Sequence, residues 1–291
     1  MPTWILVGLC CAFFAACCDT VSKFIMRDND EWLTGAGMLL GALALLSPLF
    51  FIVEFKPITI ELALLIAVTL PLEALAYYLF LTAIRLSPLS LTVPLLSFTP
   101  AVTILTSWLI LGEEIGTVGI FGVGLVTVGA YVLNLDPGRL TFLGPLKAVS
   151  SEPGARRMLL VSLIWALTGT LGKGGVNMYG AIEFGLILTA LITAVFVVGA
   201  TIRLFRGDSV LVMENRTIGF LSLGSVVMAI QEITHFIAIS MAPVAFMISV
   251  KRISMVIAVI FGWLFFREEN IRWRLMGAMI MLSGVTIIYT R

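Results

Sequence analysis

What this chain has little of is charge. Of its 291 residues only 12% are Asp, Glu, Lys or Arg, whereas 60% are hydrophobic. A soluble domain carries about 25% charged residues, so the shortfall excludes an ordinary water-facing surface and places most of the chain in lipid. The mean hydropathy of +1.10 says the same. Neither sign of charge is in excess (net +1), so no nucleic-acid partner is expected. Histidine occurs once and cysteine four times. All four cysteines, Cys10, Cys11, Cys17 and Cys18, lie in the first apolar run, which gives no disulfide framework. Cys10 and Cys17 share one helix face and Cys11 and Cys18 another, and packing as small apolar residues is the simplest account of them. The chain shows no nucleophile–base constellation and no metal-ligand spacing, so neither an enzyme nor a cofactor is expected. The start, Met1-Pro2-Thr3-Trp4, has no basic segment, and the apolar run after it exceeds a signal-peptide core. It reads as a retained membrane helix.

What is there is a series of apolar runs. A bilayer core needs about 20 largely apolar residues per helix. Ten runs qualify: 4–23, 34–53, 60–86, 89–111, 115–133, 157–177, 184–201, 217–240, 243–266 and 272–290. The expected fold is therefore an all-α membrane protein with ten transmembrane helices. Most connections are short. The exception is 134–156, which contains Pro137-Gly138, Gly144-Pro145 and Pro153-Gly154 and reads as a linker, with a short interfacial segment over 140–149. The expected organisation is a first five-helix repeat over 1–136, a linker over 137–156 and a second repeat over 157–291.

The two halves resemble each other. A shift of 155 residues brings Pro88 onto Pro243, Trp108-Leu109 onto Trp263-Leu264, Glu113-Glu114 onto Glu268-Glu269, and Gly122 and Gly129 onto Gly277 and Gly284. At the first helix the offset is 150, where Lys23 meets Lys173. An odd number of helices per repeat forces the copies into opposite orientations. Inverted repeats are a common transporter construction, with the site near the midplane between the halves. The glycines of each pair are seven apart and so share a face, which suits close packing between halves or subunits. Counting basic residues by loop gives thirteen on the odd-numbered loops and their helix ends against two, Lys56 and Arg291, on the even side. The positive-inside rule then makes the odd loops cytoplasmic and puts both termini outside.

Charge inside the apolar runs marks the candidate site. Lys251-Arg252 lies in the ninth run, where each cation costs roughly 2.5–3.5 kcal/mol at a membrane helix centre. Such residues normally face a polar cavity. Lysine offers a point charge and arginine a planar fork suited to phosphate or carboxylate, and Ser249 and Ser254 add hydroxyls nearby. Glu73 in the third run and Glu232 in the eighth are candidate counter-charges. His235 follows Glu232 by one turn, with Gln231 beside them. A Glu/His pair on a cavity can relay protons or gate a counter-ion; the competing account is a static ion-pair network around the two cations. Lys173, within Leu171-Gly172-Lys173-Gly174-Gly175, is a further substrate-binding candidate because glycine lets backbone approach a ligand. Asp19 precedes Lys23 by four residues and reads as a local helix pair, and Lys23 as snorkelling to an interface. Glu113-Glu114 and Glu268-Glu269 read as solvated, Trp108 and Trp263 as interfacial anchors, and Tyr77-Tyr78 as packing.

Ten helices in two five-helix halves, glycine-rich fifth and tenth helices and the helix end Leu111-Gly112-Glu113-Glu114 resemble the drug/metabolite transporter superfamily, specifically its EamA-type members. The likeness covers essentially the whole chain. It implies a secondary transporter for small organic metabolites working by alternating access, with the central site lined by the first, third, fourth, sixth, eighth and ninth helices. The stretch Ser249-Val250-Lys251-Arg252 is also similar to one in the triose-phosphate/phosphate translocators, where the Lys-Arg pair holds phosphate; the resemblance implies that role for Lys251 and Arg252. Those translocators carry a second phosphate-binding lysine in the fourth helix, where this chain has Leu96. Family members usually keep their termini in the cytoplasm, the reverse of the charge count. The expected partners are a small, anionic or phosphate-bearing solute, protons or a counter-substrate, and lipids of a bacterial or archaeal plasma membrane. The alternatives are an exporter of neutral or zwitterionic metabolites and a lipid-handling or interaction protein.

Overall fold

A computed structural model of the chain describes residues 2–86, 93–133, 143–257, 260 and 271–290. The described elements are helical throughout: α1 (Thr3–Ile25), α2 (Glu31–Leu46) with a 3-10 turn (Ser47–Phe51), α3 (Ile60–Leu86), a 3-10 turn (Val93–Ser97), α4 (Phe98–Leu111), α5 (Thr117–Leu133), α6 (Gly144–Ser151), α7 (Pro153–Tyr179), α8 (Ala181–Arg206), α9 (Asn215–Met241), α10 (Val244–Lys251) and α11 (Ile271–Tyr289). Among the described residues six spans are long and apolar enough to cross a membrane: Thr3–Ile25, Glu31–Phe51, Ile60–Leu86, Pro153–Tyr179, Ala181–Arg206 and Asn215–Met241. Three shorter apolar helices accompany them, Leu95–Leu111, Thr117–Leu133 and Leu275–Tyr289. The expected ninth span, 243–266, opens with α10 and passes outside the described residues at 258–259 and 261–266. Pro88, Pro137-Gly138, Trp263-Leu264 and Glu268-Glu269 also lie outside them. Of the interfacial segment expected over 140–149, residues 140–142 lie outside the described residues, and α6 (Gly144–Ser151) overlaps the rest.

Local chemistry sets the helix ends. The Asp30 side chain caps α2 by accepting from the Leu33 amide at 2.8 Å. Pro153 occupies the first turn of α7, where its missing N–H costs nothing. α4 and α8 stop at Gly112 and Gly207, which turn left-handed with φ of 65° and 73°. Ala242 is extended because Pro243 follows it, so the chain breaks between α9 and α10.

Packing runs mainly from one half to the other. α1 packs on α9 and α3 on α7; α4 packs on α7 and α1 on α10; α2 pairs with α8 and α5 with α11. Numbered by span, the first meets the eighth as the third meets the sixth, which is the pattern of a pseudo-twofold axis. The α5–α11 seam gives its direction. Gly122 lies against Gly284 and Gly129 against Gly277, so residue numbers rise along one helix as they fall along the other. The equivalent helices of the two repeats are antiparallel, and the repeats are inverted. A Cβ on Gly129 would stand 2.8 Å from the Gly277 carbonyl oxygen, and one on Gly122 3.1 Å from that of Gly284. Only glycine permits this approach, and the seam joins halves of one chain.

Two apolar clusters fill the interior. The larger surrounds Phe196, Met158, Leu81 and Val126. The smaller gathers Leu62 and Ile66 of α3, Val176 and Tyr179 of α7, Phe184 and Leu188 of α8, Phe236 and Ile239 of α9, and Val244 and Met247 of α10. These are the ends of helices bordering the even-numbered loops. There the Tyr179 hydroxyl also donates to the Lys56 carbonyl. At the opposite end Asp30 pairs with Arg203 at 3.3 Å and Glu31 with Arg85 at 2.9 Å.

Candidate functional site

Between the halves lies a cavity of about 180 Å³. The first, third, fourth, sixth, eighth and ninth spans contribute to its wall, and so do the second, through Leu39, and the seventh, through Leu188, Thr189 and Ile192. α1 supplies Cys18, Asp19 and Ser22; α3 supplies Thr69, Glu73 and Tyr77; α7 supplies Trp165 and Thr168; α9 supplies Gln231, Glu232 and His235. Lys251 and Arg252 enter from the end of α10, with Ser254 just beyond them.

The backbone explains how two consecutive cations share this wall. α10 is only two turns long. It ends at Lys251, and the chain turns through Arg252 and Ile253 before helix resumes over 254–257. The Arg252 amide still reaches back to the Ile248 and Ser249 carbonyls at 3.1 and 3.2 Å. Arg252 is buried, at 8% exposure, and its Nε has no hydrogen-bond partner among the described residues. Among the described residues no carboxylate lies within ion-pair distance of Lys251 or Arg252. Lys251 instead meets His235, with Nζ 3.4 Å from Nδ1.

The carboxylates line other parts of the wall. Glu73 accepts from the Thr168 hydroxyl at 2.5 Å, which ties α3 to α7. Glu232 lies within electrostatic reach of Lys251 and Glu73, and Asp19 within reach of Lys23, Lys251 and Arg252. Among the described residues the wall thus carries three carboxylates, two cations and one histidine, together with the Cys18 thiol and the Tyr77 phenol. Tyr77 is on the wall as well and packs against Phe196, while Tyr78 packs on Trp32 away from it.

Not every expected residue is here. The Ser249 hydroxyl donates to the Ala245 carbonyl at 2.7 Å and stays inside its own helix. Lys173 does not line the cavity. Its ammonium donates to the carbonyls of Ile239 (2.6 Å), Ser240 (3.3 Å) and Ala242 (3.1 Å), where α9 ends. These are carbonyls that a helix end leaves without an internal partner. Glu113 is not merely solvated: its carboxylate accepts from the Val244 amide at 3.0 Å, at the start of α10. Lys23 is exposed, as its snorkelling reading requires. Asp19 is the residue that sequence reasoning left aside, because the nearby Lys23 offered it a local partner. Cys11 donates weakly to the Gln231 carbonyl, the four cysteines are free thiols, and the described residues hold no cluster of three potential metal ligands.

The cavity thus brings cations, carboxylates and a histidine onto one wall. Comparisons with known proteins bear on the family and the fold. A family model described as the EamA-like transporter family matches the chain twice, over residues 2–135 and 153–290. One solved protein crystal structure superposes with a TM-score of 0.78 over 99% of this chain and 96% of its own, at 13% identity, which is a likeness of fold. No curated protein matches the chain.

Proposed function

The chain belongs to the EamA-like transporter family, and from that premise we propose that it moves a small organic metabolite bearing an acidic group by alternating access. It is a multi-pass integral membrane protein, and its family carries small molecules. On our reading the units 1–136 and 157–291, joined by 137–156, rock about the cavity between them. Lys251 and Arg252 receive the carboxylate or phosphate, and Ser254 adds a hydroxyl. Glu73, Glu232 and His235 tune the charge or couple transport to protons or a counter-substrate. The odd-numbered loops face the cytoplasm of a bacterial or archaeal cell, on the basic-residue count.

The observation that carries this reading is Arg252. Arg252 is buried and on the cavity wall beside Lys251, and among the described residues neither cation has an ion-paired carboxylate. A buried charge normally has a partner, and an anionic group entering the cavity would supply one. The likeness of Ser249–Arg252 to triose-phosphate translocators rests on those residues alone, while the family match is to the EamA-like model.

A second reading has its own support. Three carboxylates face two cations, so a solute that also carries an ammonium group, a zwitterion, balances the wall better than a dianion does. Thermal stabilisation of the purified protein separates the two. The panel is inorganic phosphate, glycerol 3-phosphate, succinate, glutamine and putrescine, tested on the wild type, Lys251→Gln and Arg252→Gln. A ligand present at 100 times its Kd stabilises by about 2.7 kcal/mol. Stabilisation by phosphate or carboxylate compounds that disappears in both variants supports the anion site. Glutamine acting alone selects the zwitterion. Equal effects of any ligand on all three proteins would refute a substrate role for the pair.

A further inference from the structure

We infer that Lys173 and Glu113 are positioning residues for the cation pair: together they hold the break between α9 and α10 and so aim Lys251 and Arg252 into the cavity. The inference rests on the reading of that pair as the anchor of the solute.

The break is an expensive place. At the end of α9 Ser240 and Met241 are exposed, but Ile239, Ala242 and Val244 around the break are buried. Its last carbonyls carry the negative end of the helix dipole. An ammonium has three N–H donors, and Lys173 directs its ammonium to three carbonyls, those of Ile239, Ser240 and Ala242. Two residues later the polarity reverses. The first amide of α10, on Val244, needs an acceptor, and a carboxylate suits a helix N-terminus; Glu113 provides it. The two clamping groups also feel each other electrostatically. They come from different repeats, Glu113 from the end of α4 and Lys173 from α7.

α10 transmits this placement. Its eight residues make a rod of about 12 Å with the clamp at one end and Lys251 at the other. The rod is packed along its length, since Val244, Ala245, Met247, Ile248 and Val250 are buried. Beyond Arg252 the helix is interrupted by the turn at Arg252-Ile253. The cations therefore sit at one end of a short, buried segment whose other end is the clamp, and Ile253 and Met255 pack just beyond them. The glycines flanking Lys173 fit the same purpose: Gly172 has open space around it, and Gly175 leaves room for the Phe184 ring.

The test reads the position of the cations without needing the solute. Cys18 lines the same cavity and lies within reach of Lys251. In a Cys10→Ala, Cys11→Ala, Cys17→Ala background, the full-length protein is labelled at Cys18 with a sulfonate-bearing and a trimethylammonium-bearing methanethiosulfonate. The ratio of the two rates reports local potential. Arg252→Gln should lower the anionic-to-cationic ratio by about tenfold, the scale of one charge at short range in a poorly screened site. Lys173→Met and Glu113→Ala should lower it by about threefold or more in the same direction. Lys173→Arg, which keeps the charge, and Glu113→Gln, which keeps an acceptor for Val244, should stay near the parent. Leu62→Ala loosens the same apolar layer without touching the clamp and should leave the ratio unchanged. Lys173→Met also removes a positive charge, whereas Glu113→Ala removes a negative one and by charge alone would raise the ratio; a ratio that does not fall in Glu113→Ala, or an equal fall in Leu62→Ala, overturns the inference. Glu113 is only half-buried, so Glu113→Ala decides alone if Lys173→Met does not fold. Failure of the solute panel with a positive result here would remove the anion reading and keep the clamp; the reverse would remove the clamp only.

Discussion

Alanine at Gly129 should leave the protein less stable than alanine at Gly124, although both sit on α5. A Cβ on Gly129 would lie 2.5 Å from the Met281 amide nitrogen, 2.7 Å from Met281 Cγ and 2.8 Å from the Gly277 carbonyl oxygen. Two of these three are backbone atoms of α11, so relief requires the helices to separate. Gly124 is exposed and has nothing within 4 Å of an added Cβ. Both substitutions gain the same helix propensity, about 0.8–1.0 kcal/mol. The difference between them therefore isolates the steric cost at the seam, about 1–3 kcal/mol for overpacking. Gly124→Ala should be neutral or stabilising and Gly129→Ala should fall below it by that margin. Unfolding of the purified variants in mixed micelles of mild detergent and dodecyl sulfate measures the gap. If Gly129→Ala is as stable as Gly124→Ala, the two backbones do not touch there and the antiparallel seam is misplaced.

Two further outcomes are expected. Asp30→Ala removes the α2 cap together with the contacts to Arg203 and the Ser209 hydroxyl; it should cost about 1–2 kcal/mol, and Asp30→Asn should recover much of that because asparagine caps equally well. His235 is the chain's only histidine and lies 3.4 Å from the Lys251 ammonium, with Glu232 on the same helix and Glu73 opposite on the cavity wall. If it relays protons, reconstituted transport will depend on pH in a way that His235→Gln abolishes; identical profiles for the two proteins would exclude the role.

The fold was legible because lipid enforces it. A membrane span must be apolar for its whole length, so the spans stand out in composition, and the offset of 155 ties the glycine pairs to one another. Lys251, Arg252, Glu73, Glu232 and His235 were legible for the same reason, since charge within an apolar run is costly. The rest was hidden by what sequence does not encode. Lys173 has three partners, but all are backbone carbonyls, which leave no trace in residue identity. Its glycine neighbours suggested a ligand where a helix end lies instead. Glu113 sits beside a left-handed glycine and looked like a solvated loop residue until α10 was seen to begin against it. Asp19 was discounted because Lys23, one turn away, offered a sufficient local account. Ser249 was grouped with the cations by adjacency, although its hydroxyl turns back to its own helix.

The glycine seam bears on how such a chain arises. Gly122 meets Gly284 while Gly129 meets Gly277, and each partner is the other's counterpart one repeat later. A surface that pairs with its own copy in this reciprocal way is isologous, the arrangement of a twofold dimer. A five-helix protein carrying one α5 would therefore already possess the means to dimerise with an oppositely inserted copy of itself. Gene duplication and fusion would then have had no new interface to invent. They would have needed only a tether and divergence elsewhere; in this chain the lysine–arginine pair stands in the second copy, opposite Leu96-Ser97 in the first.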